Sequence, residues 1–93
     1  MAISTFACQS TKALFDGLKI AKYVNIERQA MRKLTQLHVA KTLDDMRLPP
    51  GNCLELLKGN RRGCYSVRIN QQWRLCFRFE NGDAYEVEII DYH

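Results

Sequence analysis

From Tyr65 to Ile89 the large apolar side chains fall on odd-numbered positions: Tyr65, Val67 and Ile69, then Trp73, Leu75, Phe77 and Phe79, then Tyr85, Val87 and Ile89. Alternate residues of a β-strand point to opposite sides of a sheet, so this period of two predicts strands that share one apolar face. The runs are Cys64 to Ile69, Trp73 to Phe79 and Ala84 to Ile90, and Cys53 to Leu57 reads as a further strand. A one-residue slip in pairing would turn half of the apolar residues to the wrong face, which requires hairpin loops of odd length. Asn70-Gln71-Gln72 meets this in the first hairpin. In the second, Glu80-Asn81-Gly82 with Gly82 left-handed in a bulge is preferred to a two-residue Asn-Gly turn. In that register Arg68 stands opposite Arg74, and Arg74 opposite Glu88.

Before Cys53 the period is helical. Ile26, Ala30, Leu34 and Leu37 recur at helical spacing behind a candidate cap, Asn25, while Arg28, Arg32, Lys33 and Gln36 fill the solvated face. A shorter helix capped by Ser10 carries Leu14 and Leu18 and ends at Gly17, preceded by a brief strand from Ile3 to Phe6. Thr42-Leu43-Asp44-Asp45 resembles a capping box opening one more turn, closed by Pro49-Pro50-Gly51-Asn52. His38 reads as a capping or surface residue. Helices first and strands afterwards give an α+β class: a short N-terminal strand and two main helices packed on one face of a mainly antiparallel sheet. With 93 residues, 46% of them apolar, the expectation is one domain over residues 1–93.

The absence of a long apolar run and of a signal-peptide pattern predicts a cytoplasmic protein with no membrane partner. The cysteines at 8, 53, 64 and 76 show neither C-x-x-C spacing nor a His at ligand distance in sequence. They read as free, mostly buried thiols, with no metal or organic cofactor.

Charge is concentrated between Lys58 and Arg74. That stretch holds the five cations Lys58, Arg61, Arg62, Arg68 and Arg74 and no acid, and it accounts for the whole formal net charge of +4. A polyanionic partner follows. In the predicted register the polar face of the sheet gathers Arg68, Gln72, Arg74, Glu88 and Tyr92. Adjacent arginines repel unless an anion lies between them; the alternative is a surface ladder in which Glu88 neutralises Arg74. Cutting RNA without a metal takes a base for the 2′-hydroxyl, cations for the pentavalent phosphorus and an acid for the leaving 5′-oxygen. Lys58, Arg68 and Arg74 can supply cations, Asp91, Tyr92 and His93 proton transfer, and Tyr92 a stacking surface.

Five segments together resemble the HigB toxins of the RelE/ParE superfamily of bacterial toxin–antitoxin systems. They are Leu48-Pro49-Pro50-Gly51-Asn52, the loop from Leu57 to Gly63, Tyr65 to Asn70, Gln72 to Phe77, and Asp91-Tyr92-His93. The resemblance implies a ribosome-dependent, metal-independent endoribonuclease that cuts messenger RNA in the ribosomal A site, and a HigA-like helix-turn-helix antitoxin as partner beside the ribosome and message. It implies catalytic roles for Lys58, Arg74, Asp91, Tyr92 and His93 and a further phosphate contact at Arg68; RNA contacts are expected besides at Arg61 and Arg62, from their charge, and at Gln72 and Glu55. Some members of the family have His where Glu55 stands and Asn where Gln72 stands. Two other functions stay open: a ParE-like poison of DNA gyrase that cuts no RNA, and a module that only grips RNA phosphates.

Overall fold

Glu27–Val39 forms the long helix expected from its apolar stripe, here α2, and Gln9–Phe15 forms the shorter α1. The computed structural model describes residues 2–59 and 63–91. The strands are β1 (Glu55–Leu56), β2 (Tyr65–Arg68), β3 (Trp73–Glu80) and β4 (Asp83–Asp91), in the spatial order β1-β2-β3-β4 with antiparallel neighbours throughout. Ile3 and Phe6 add parallel bridges along the outer edge of β4, to Ala84 and Val87. Both helices pack on one face of the sheet. Tyr23, Ile26, Ala30, Leu34 and Leu37 meet Val67, Leu75, Phe77 and Val87 there, each at most 2% exposed. Tyr23 seals the end of this core edge-on against Trp73, with ring centroids 5.6 Å apart.

The helix caps differ from the sequence expectation. Cys8 rather than Ser10 precedes α1, and Ile26 rather than Asn25 precedes α2. Ile26 is buried, so packing sets the start of α2 and no side chain caps it. Leu18 lies beyond the end of α1 and is 60% exposed, because the left-handed Gly17 turns the chain away from the core. The box at Thr42 holds: the Asp45 carboxylate accepts from the backbone N–H of Lys41 at 2.8 Å and of Thr42 at 3.2 Å, opening the 3₁₀ turn Leu43–Arg47. These N–H donors draw the pKa of Asp45 below the ordinary carboxylate value. The four cysteines are free, but only Cys76 is buried, and Cys53 is exposed. His38 accepts a hydrogen bond from the Ile3 N–H through Nδ1.

The first hairpin follows the predicted register, with Arg68 opposite Arg74 and Val67 opposite Leu75. Asn70 shapes its loop by accepting from the N–H of Gln72 and of Trp73, both at 2.8 Å. The second hairpin does not follow it. Glu80 pairs with Asp83 across the two-residue Asn81-Gly82 turn, whose φ values of 50° and 84° are those of a type I′ hairpin. Parity is restored farther along, where Glu86, at φ 51°, is an extra residue between the pairs Cys76–Glu88 and Arg78–Tyr85. The turn and the core alternation are therefore reconciled by a bulge inside β4 rather than at the loop. Two assignments change with it: Ala84 is the fully buried residue, and Tyr85 lies across from Arg78. Arg74 accordingly pairs with Ile90, and Glu88 with Cys76. The predicted strand over Cys53–Leu57 shrinks to two residues because Cys53 is left-handed, at φ 46°.

A Cβ added to Gly82 would meet nothing within 4 Å, so only the left-handed backbone resists a side chain there. Gly82→Ala is expected to lower the unfolding free energy by about 1 kcal/mol. Urea denaturation should show a lower midpoint at unchanged m-value.

Candidate active site

The row Glu55, Ser66, Cys76, Glu88 crosses the sheet on the side away from the helices, in direct register from β1 to β4. Arg74 sits one row along, between Arg68 and Ile90. Its side chain leans back across the diagonal to β2. Nε donates to Ser66 Oγ at 2.8 Å, and Nη2 donates to the carbonyl of Cys53 at 2.6 Å and approaches that of Ser66 at 3.4 Å. Glu55 Oε1 is 3.8 Å from the same nitrogen.

The surroundings make this an anchored cation. Arg74 is 8% exposed and Ser66 is fully buried, whereas the Glu55 side chain is 46% exposed. The expected open polar ladder is thus closed around the guanidinium. A planar fork held at two of its nitrogens by neutral acceptors keeps its direction, which a flexible surface arginine does not. Cys53 reaches it where the Pro50–Asn52 turn ends in a left-handed residue, directly after Asn52. Asn52 is completely buried. Its Nδ2 lies within hydrogen-bond distance of the carbonyls of Met46 (3.0 Å) and Leu48 (3.1 Å) and of Gln36 Oε1 (3.2 Å), and its Oδ1 accepts from Lys33 Nζ.

The other expected site residues spread over three places. Lys58 is exposed, following Leu57, whose N–H donates to the carbonyl of Cys64 at 2.8 Å. Gln72 Nε2 donates to Asp91 Oδ2 at 3.1 Å, at the end of the sheet where Asp91 is in register with Trp73. Arg68, though paired with Arg74 along the strands, turns its Nε to the carbonyl of Asn70 at 3.2 Å. The expectations for Arg61, Arg62, Tyr92 and His93 fall outside the described residues. Among the described residues no three His, Cys, Asp or Glu side chains come together as a metal site. None of the described helices is long and apolar enough to cross a membrane.

Sequence reasoning missed Ser66 and the Cys53 carbonyl. For Ser66 a signal was present: an even-numbered polar residue on β2, diagonal to Arg74 once the first hairpin is registered. For Cys53 there was none, because nothing in a cysteine's chemistry announces a left-handed backbone.

Comparison with known proteins identifies the family and the fold. Residues 11–93 match the family described as RelE-like toxin of type II toxin–antitoxin system HigB. Over 60 residues the chain is 45% identical to Toxin HigB-1 of Vibrio cholerae, covering 64% of this chain and 63% of that protein. Over 40 residues it is 48% identical to Endoribonuclease HigB of Proteus vulgaris, covering 43% of this chain and 44% of that protein. Each alignment thus spans less than two thirds of the relative's own length. In fold, the chain is similar to one solved in the YoeB–YefM complex of Staphylococcus aureus, with a TM-score of 0.58 at 19% identity over 100% of this chain and 99% of the other. YafQ of Escherichia coli gives the same TM-score at 13% identity, over 96% of this chain and 92% of its own.

Proposed function

Because the chain belongs to the HigB family of RelE-like toxins, we propose that it is the toxin of a type II toxin–antitoxin pair and acts as an endoribonuclease on messenger RNA in the ribosomal A site. The observation that carries the reading is the buried Arg74 guanidinium, locked by Ser66 and Cys53 with the half-exposed Glu55 carboxylate beside it. The similarity to Endoribonuclease HigB of Proteus vulgaris supports the reaction class.

In this reading Arg74 and Lys58 stabilise the charge that builds on the phosphorane, and a preorganised guanidinium does so without reorganising during the reaction. Glu55 takes the proton of the 2′-hydroxyl, a role that its half-exposed carboxylate oxygens beside Arg74 support. Asp91 with Gln72 positions the message, and Tyr92 and His93 complete stacking and proton transfer to the leaving oxygen. Arg61 and Arg62 grip RNA. The reaction needs no metal, and the ribosome supplies the reactive alignment of the message that so small a site does not impose alone. A HigA-type helix-turn-helix antitoxin neutralises the toxin, in keeping with the toxin–antitoxin complex in which a structural neighbour was solved.

Mapping message 5′ ends in cells minutes after induction tests this. New ends inside translated reading frames are expected, with naked RNA left largely intact by the purified protein. Chromosome breaks with intact messages would mean a gyrase poison instead, and growth arrest with neither would leave only RNA binding.

A further inference from the structure

Away from Arg74, a depression of about 380 Å³ opens between α2 and the β2–β3 hairpin. Arg32 and Lys33 line it from the helix and Arg68 from the strand, with the amides of Gln29 and Asn70 beside them and Gly51 forming part of the wall. No acidic side chain is among the described residues that line it. The long helix was expected to turn Arg32 and Lys33 simply to solvent. Instead Lys33 is half-buried, its ammonium donates to Asn52 Oδ1, and burial together with the neighbouring charge of Arg32 pulls its pKa below the ordinary lysine value. Three cations from two elements around one hollow repel one another, and an anion seated among them relieves that repulsion. Gly51 leaves open space on its side: a Cβ there would meet nothing within 4 Å.

We propose that this hollow is a second phosphodiester-binding subsite, formed by Arg32, Lys33 and Arg68, which holds RNA at a phosphate other than the one cut. The assignment rests on the nuclease reading above, in which Arg74 takes the scissile phosphate. Arg68 is the direct register neighbour of Arg74, so one pair of strands presents a cation to each site. The division of labour is then simple. Arg74 acts in the chemical step, and the hollow sets register and affinity without taking part in it.

The test is binding to programmed ribosomes with a vacant A site, by co-sedimentation over a series of salt concentrations. The variants are Arg32→Gln and Arg32→Gln/Lys33→Gln, with Lys12→Gln on α1 as the control. At about 100 mM salt the double variant should bind at least roughly 10-fold more weakly, and the slope of log K against log salt should flatten by about 1 to 2. Single-turnover cleavage by Arg32→Gln at saturating ribosomes should match the parent. Arg32 is exposed, so the single variant tests the site even where loss of the Lys33 to Asn52 bond harms folding. Parent-like affinity and slope in both variants would overturn the inference, as would a loss confined to antitoxin binding. A photo-crosslinker in place of Gln29 names the source of the phosphate: adducts on message or on ribosomal RNA each support the site, and adducts on ribosomal protein alone refute it. Should the parent bind ribosomes yet cut nothing, the nuclease reading fails while the binding series still decides the subsite.

Discussion

Arg74→Lys should cut the single-turnover rate of message cleavage by about 10²- to 10³-fold, the usual cost of removing one preorganised donor from developing charge. The substitution keeps a positive charge, so a merely electrostatic role would leave most of the activity. The structure gives the reason to expect otherwise: Nε on Ser66 and Nη2 on Cys53 need a rigid planar fork, and one ammonium does not reach both acceptors. Leaving the buried Ser66 hydroxyl short of its partner should also cost about 1–3 kcal/mol of stability. Ser66→Ala separates the two effects, because it keeps the guanidinium and removes one of its anchors. A smaller fall in rate than for Arg74→Lys is expected, with no change in ribosome affinity. Parent-like cleavage by a folded Arg74→Lys protein would remove Arg74 from the chemistry.

The second large effect lies in stability, at Asn52. Truncation to alanine leaves the Met46 carbonyl without the amide that holds it and the half-buried Lys33 ammonium without its acceptor, around a side chain with no exposure, while the Leu48 carbonyl keeps Gln36 Nε2 at 2.6 Å. At about 1–3 kcal/mol for each buried group left unpaired, a loss of about 3 kcal/mol is expected. For a domain of this size that is a fall in Tm of roughly 10–20 °C. Asn52→Asp is the sharper experiment. It preserves shape and the acceptor for Lys33 but cannot donate to either carbonyl, so it should be nearly as damaging as alanine. Because Asn52 precedes the residue whose carbonyl holds Arg74, both variants should also lose cleavage under conditions where they remain folded. A stable and active Asn52→Asp protein would show that the amide donors are dispensable.

How much of this was legible beforehand depends on the length over which each pattern repeats. The stripe of Ala30, Leu34 and Leu37 and the odd-position alternation each extend over several turns or strands, and both elements formed where they were expected. Features set by a single residue were not legible. Glu86 carries no mark of a bulge, and assigning the odd count to the hairpin loop was the only way to save parity from sequence alone. The shift it causes moved Glu88 from a place opposite Arg74 to one diagonal to it. The exposure of Arg74 was misjudged for a related reason. Parity correctly put it on the face away from the helices, but parity says nothing about whether loop backbone, here Cys53, closes over that face.

The bulge at Glu86 has a further effect, on the order in which the molecule is completed. Ile3 and Phe6 bridge to Ala84 and Val87, so the N-terminal segment and β4 advance by the same step of three residues across the bulge. The Glu86 N–H donates to Thr5 Oγ1 at 2.8 Å, and the Val87 N–H to the Thr5 carbonyl at 3.1 Å. Residues 3–6 thus have their template in residues 84–87, 81 positions away in sequence. During synthesis they leave the ribosome early and wait, unpaired, until β4 has emerged and kinked, and pairings this distant in sequence are the slowest to form. A chain in which β4 has not yet paired carries an exposed edge on β3 and leaves residues 3–6 without a partner strand.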